Sequence, residues 1–149
     1  MADTITWLDV NSWQFNLAGR CILVDPWLVG DLVFGNASWL IRGVRPQSIA
    51  IPPQIDLLLL SQGLADHAHP ETLDALDKSI PVVASVAGAK VATAKGFTQV
   101  TQLIPGQSLR LGDDLLIEAL PGAPVGPLAK ENAYIVTVLS TGLRLIVVP

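Results

Sequence analysis

The stretch Asp56-Leu57-Leu58-Leu59-Leu60-Ser61-Gln62-Gly63-Leu64-Ala65-Asp66-His67-Ala68-His69-Pro70 decides how the chain is read. Four uninterrupted leucines suit a short strand buried on both faces, since an alternating pattern would leave one face polar. The run stops at Ser61-Gln62-Gly63, and Pro70 opens a short helix predicted to reach Asp77. His69 falls at its N-cap and Glu71 in its first turn, where a negative charge is favoured. Polar groups between a buried strand and a helix lie at the rim of a sheet, where loops carry function. Both histidines of the chain lie in this loop. Asp66 beside His67, with His69 two residues on, forms a partial ligand set for Zn²⁺ or Mn²⁺.

Outward from this segment the chain reads as many short strands and few helices. Ile5–Leu8, Trp13–Leu17 and Cys21–Val24 are predicted strands, with turns at Asn11-Ser12 and Ala18-Gly19-Arg20, and Asp25-Pro26 ends the third. Asp25 is a strand-end cap that also lies near the site if the loop is catalytic. Residues 26 to 54 are irregular, and so long a loop in a compact domain is often functional. Trp27, Phe34, Trp39 and Leu40 either form a lid or glue this loop to the core. Downstream are a strand at Pro81–Ser85 and an alanine-rich helix at Ala87–Lys95. Strands follow at Gln99–Leu103, Ser108–Leu111 and Leu115–Leu120, then a rigid loop at Pro121–Pro127. A last hairpin joins Tyr134–Leu139 to Leu143–Val148. Trp13 and Tyr134 are expected in the core.

The 149 residues suit a single domain, 1–149, long enough to bury roughly 70% of its unfolded surface. Half are hydrophobic and 15% are charged. That points to much buried strand or to a face covered by a partner, including a homo-oligomer. The nine Lys and Arg residues are scattered on a chain of net charge −4, which argues against nucleic acid. Arg42 and Arg45 read as a solvated loop. One cysteine, Cys21 in an apolar run, allows no internal disulfide and suits a buried position. No secretory leader and no apolar run of about 18 residues is apparent, so a cytoplasmic, reducing location and no membrane span are expected.

Taken together, the strand Asp56–Ser61 running into the polar loop, Pro70-Glu71-Thr72-Leu73 after it, and Ile5-Thr6-Trp7-Leu8 followed by Ile22-Leu23-Val24-Asp25-Pro26-Trp27-Leu28 resemble the metallo-β-lactamase superfamily, in its small metal-dependent hydrolase-like branch. The resemblance runs from about residue 4 to the end and implies an α/β fold, an αββα sandwich with metals at the sheet edges. The family's metal loop is His-x-His-x-Asp-His. Here Gln62 and Leu64 stand for the first pair, and only Asp66 and His67 are kept. The later family histidine has no counterpart in Pro121–Pro127, and the final ligands and the end of the second sheet are not found before Pro149. The resemblance therefore implies a degenerate site, with at most one Zn or Mn ion on Asp66 and His67 and with His69 as a third ligand or as the helix cap. The usual two-metal chemistry needs both ions and is not expected.

Two functions remain open at this level. One is a metal-dependent hydrolase using one ion, acting on an ester, lactone or phosphoester by analogy. The other is a non-catalytic member of the fold that binds a small ligand or a protein partner in the same cleft, with Asp66 and His67 as a hydrogen-bonded pair shaping the loop around a tight turn at Gly63.

Overall fold

The computed structural model describes residues 2–33, 42–125 and 129–149. Phe34, Trp39, Leu40 and Pro127, named above, lie outside the described residues. The strands are β1 (Thr4–Asp9), β2 (Ser12–Leu17), β3 (Arg20–Val24), β4 (Leu32–Val33), β5 (Arg42–Gly43) and β6 (Leu57–Leu60), then β7 (Val82–Ala84), β8 (Val100–Gln102), β9 (Ser108–Leu111), β10 (Leu115–Val125), β11 (Ala129–Val138) and β12 (Arg144–Val147). The helices are α1 (Pro70–Ala75) and α2 (Val86–Ala94). One sheet runs β1-β2-β3-β6-β7-β8 and a second runs β12-β11-β10-β9, with β4 and β5 as a small ribbon.

The four leucines of β6 explain the layering. Leu57 and Leu59 point into one apolar cluster with Ile22, Val24, Ile117, Tyr134 and Val136, which lies between the two sheets. Leu58 and Leu60 point the other way, into a cluster with Leu73 of α1 and Ala89 and Ala92 of α2. The period of two along a strand thus places helices on one face of the first sheet and the second sheet on the other. Among the described residues no helix covers the far side of the second sheet. This is the metallo-β-lactamase-like sandwich expected from the sequence, with three of its four layers carried by these residues.

β3, β6, β7 and β8 are parallel neighbours. Their carboxyl ends therefore lie side by side, the place where open α/β sheets present functional groups. The second sheet is tied to this edge by hydrogen bonds. The Tyr134 hydroxyl donates to the Leu60 carbonyl at 3.1 Å, and Asn132 donates its backbone N–H to the Ser61 carbonyl at 3.0 Å. Burial pushes the Tyr134 phenol well above its usual range.

Three expectations are corrected. The predicted loop Pro121–Pro127 is in its described part the continuation of β10, which pairs with β11 as far as Val125 through an irregularity between Pro121 and Pro124. Pairing with β9 ends at Glu118, and Ala119 makes the last bonds on that side, with Gly106 and Gln107, so among the described residues β10 has an open edge from there on, where prolines are tolerated. Trp13 is not core: it is 36% exposed and lines a cleft. Arg45 is not solvated. Its side chain is 5% exposed, stacked 4.4 Å above the buried Trp27 ring and paired with Asp9 at 3.2 Å. Trp27 thus glues the irregular stretch to the core, while Arg42 pairs with Asp31.

If the Tyr134 hydroxyl serves chiefly to join the sheets, urea denaturation of Tyr134→Phe should show a loss of about 1 kcal/mol. Tyr134→Ala should lose roughly 3–5 kcal/mol because it also opens a cavity.

Candidate functional site

Asp25 follows β3 and Ser61 follows β6, and the parallel register brings them together. The Asp25 side chain is buried and accepts hydrogen bonds from the Ser61 backbone N–H at 2.7 Å and from the Ser61 hydroxyl. Its Oδ2 also accepts from Nδ1 of His67 at 2.8 Å. A carboxylate has no proton to give, so this bond places the proton of neutral His67 on Nδ1 and leaves a lone pair on Nε2. That lone pair lies 3.5 Å from Asp66 Oδ2, another acceptor. Two acceptors this close repel unless a donor or a cation sits against both. The donor is Asn11 of the β1–β2 turn, whose Nδ2 lies 3.0 Å from His67 Nε2 and 3.4 Å from Asp66 Oδ2. The other oxygen of Asp66, Oδ1, is buried without a partner among the described residues.

Burial of His67 disfavours its charged form. The Asp25 hydrogen bond and the charges of Asp25, Asp66 and Glu131 outweigh that, and the imidazole is held above its usual value. His69 behaves oppositely. It is the N-cap of α1, its Nδ1 accepting from the Thr72 N–H at 3.3 Å, while Nε2 donates to the Asp31 carbonyl at 3.0 Å. Burial pulls its pKa down despite that carbonyl. Both ring nitrogens of His69 are engaged, and its ring packs near Trp27 with centroids 5.8 Å apart. The structure therefore brings Asp66 and His67 together and sets His69 apart in the helix cap.

The positions aligned with the missing ligands diverge. Gln62 is buried, with Oε1 lacking a partner among the described residues, whereas Leu64 is 43% exposed. Gly63 serves a close approach rather than a tight turn: a Cβ there would lie 2.9 Å from the Ala87 carbonyl oxygen. Among the described residues no group of three His, Cys, Asp or Glu is placed to hold an ion. The donor set suits one divalent cation in part: an imidazole lone pair and a carboxylate face each other, and a carboxylate sits behind the imidazole, the pattern that orients metal-binding histidines. A cleft of about 390 Å³ opens on His67, Asn11 and Asp25 and is walled by Ile5, Trp13, Phe15 and residues 145–149.

Sequence reasoning placed Asp25 near the site without its role, and missed Asn11. Asp25 acts on a histidine 42 residues away, and only the parallel pairing of β3 with β6 joins them. The Asp-Pro stop beside a strand leading into the His loop was the available signal. Asn11 carried none, being a turn residue of a type rarely counted among metal ligands.

Residues 4–147 match the sequence model of the beta-lactamase superfamily domain. Solved structures with the same fold include CmlA, a diiron β-hydroxylase from Streptomyces venezuelae (19% identity, TM-score 0.74, 97% of this chain and 29% of that one). Others are Igni18, a metallo hydrolase from Ignicoccus hospitalis (17%, 0.68, 98% and 60%), and an isothiocyanate hydrolase from Delia radicum gut bacteria (17%, 0.66, 91% and 58%). The chain thus spans 29–60% of the length of these proteins. No curated protein matches it. No helix among the described residues is long and apolar enough to cross a membrane.

With two histidines in the chain, ring ¹⁵N spectra test this geometry directly. His67 should titrate above the usual histidine value as the Nδ1–H tautomer, and His69 below it as the Nε2–H tautomer. The stability contributions then have opposite signs. That of His69 is present above the usual value and lost as pH falls through its lowered pKa; that of His67 is present below the usual value and lost as pH rises through its raised pKa. Removing the first with His69→Gln should leave stability falling as pH rises through the His67 value. A reversed order of the two titrations would contradict the assignment.

Proposed function

From its membership of the beta-lactamase superfamily, to which residues 4–147 belong, we propose that the chain carries the site of a metal-dependent hydrolase using at most one divalent ion, Zn²⁺ or Mn²⁺, held by Asp66 and His67. One observation carries the proposal: Asp25 fixes Nδ1 of His67 and thereby turns the Nε2 lone pair toward Asp66. A bound divalent ion supplies Lewis acidity and water of lowered pKa. Asp25 holds the imidazole in the required tautomer, and Ser61 holds Asp25. The cleft beside His67 is mostly apolar. Among the described residues no Lys or Arg lines it, which favours a neutral ester or lactone over a phosphoester. His69 would have to leave its cap on α1 to serve as a third ligand.

A second reading, a non-catalytic binding protein, draws support from Asn11, whose amide satisfies the Asp66–His67 pair without any ion. Metal content separates the two. On the hydrolase reading, purified protein offered Zn²⁺ or Mn²⁺ retains about one ion per chain and cleaves p-nitrophenyl esters, and His67→Ala loses both while keeping its circular dichroism. Asp25→Asn should weaken retention by roughly 10–100-fold. Protein that holds no ion and hydrolyses nothing leaves the binding reading standing.

A further inference from the structure

Asn11 does more than fill a gap between two acceptors. Three atoms from two distant parts of the chain form a triangle: His67 Nε2 to Asp66 Oδ2 is 3.5 Å, Asn11 Nδ2 to Asp66 Oδ2 is 3.4 Å, and Asn11 Nδ2 to His67 Nε2 is 3.0 Å. Two ligands bound to one cation at about 2.1 Å lie about 3.0 Å apart at a right angle and about 3.4 Å apart at the tetrahedral angle. The triangle therefore has the edges of one face of a coordination polyhedron. Its third corner is the end of a carboxamide, a group with a donor on one arm and an acceptor on the other. With the N–H₂ arm at that corner the pair is satisfied by hydrogen bonds; a half-turn about the last side-chain torsion puts the amide oxygen there instead.

The backbone beneath Asn11 is built to hold it in place. Asp9 has φ of 124° and Val10 of 46°, both in the left-handed region, which a β-branched residue such as Val10 rarely enters. Asp9 accepts from the Val10 N–H at 2.9 Å and pairs with the buried Arg45, and the Trp7 indole donates to the Val10 carbonyl at 3.1 Å. On the other side, the buried Ser12 hydroxyl donates to the Asp25 carbonyl at 3.0 Å and accepts from the Trp27 N–H at 2.8 Å. The turn is thus fastened to the same residue that orients His67.

We propose that Asn11 is the third protein ligand of the cation site, presenting its amide oxygen in the ion-bound form and its N–H₂ group in the ion-free form. The inference rests on the proposed use of Asp66 and His67 as ligands and brings the set to the three that catalytic sites commonly hold. One imidazole, one carboxylate and one amide oxygen make a set with more oxygen than nitrogen, which suits Mn²⁺ as well as Zn²⁺.

Isothermal titration of the whole chain with Mn²⁺ and, separately, Zn²⁺ tests this without reference to activity. Asn11→Ala should weaken binding by roughly tenfold or more. Asn11→Asp, which keeps an oxygen at the same corner and adds charge, should bind at least as tightly as the native chain; a cooperative melting transition and native circular dichroism without ion show that both variants fold. If Asn11→Ala binds like the native protein while His67→Ala does not, Asn11 is no ligand, though the Asp66–His67 site stands. If Asn11→Ala binds more tightly, the amide competes with the ion and the proposal is overturned. If the native chain binds neither ion, the two-ligand reading falls with it.

Discussion

The hydrogen bond from His67 Nδ1 to the buried Asp25 carboxylate is the constraint from which the rest of the site follows. A carboxylate taken out of water must be compensated, and Asp25 is, by the Ser61 N–H and hydroxyl and by His67. Those partners exist only because β3 and β6 run parallel and end together. The same bond decides which nitrogen of His67 is bare, and hence that an acceptor pair, not a donor–acceptor pair, meets at His67 Nε2 and Asp66 Oδ2. Removing His67 would strip Asp25 of one partner, so effects on the site and on the fold are coupled here.

The coupling extends into the second sheet. Tyr134 and Asn132 bond to the carbonyls of Leu60 and Ser61, immediately before the polar loop, so the position of that loop is set by both sheets. α1 fixes its other end: His69 caps the helix with one ring nitrogen and reaches the Asp31 carbonyl with the other. Asp66 and His67 are thus suspended between two anchored points. This explains how the loop holds Asp66 and His67 in a defined geometry.

Much of this was legible in the sequence. The LLLL run gave a doubly buried strand because each face needs two leucines, and Pro70 after His69 gave the helix start. Asp66 and His67 stand side by side in the loop, and their side chains meet at 3.5 Å. What was not legible depends on distance in the chain. The partnership of Asp25 with His67 and of Asn11 with Asp66 spans 42 and 55 residues, and no local period encodes it. Pro121 and Pro124 read as loop because proline ends ladders, yet β10 carries them where its second neighbour has stopped. Trp13 read as core because it is large and apolar, but it lies on a strand whose outer neighbour β1 is the sheet edge, beside the cleft.

Whether Asp25 and His67 prepare a cation site against Asp66 can be read from anomalous diffraction of crystals of the chain soaked in Mn²⁺ or Zn²⁺. A single peak is expected within bonding distance of His67 Nε2 and an Asp66 carboxylate oxygen, with Asp25 still bonded to Nδ1. A saturating soak that leaves no peak at this pair, or places the ion on other residues, would contradict it.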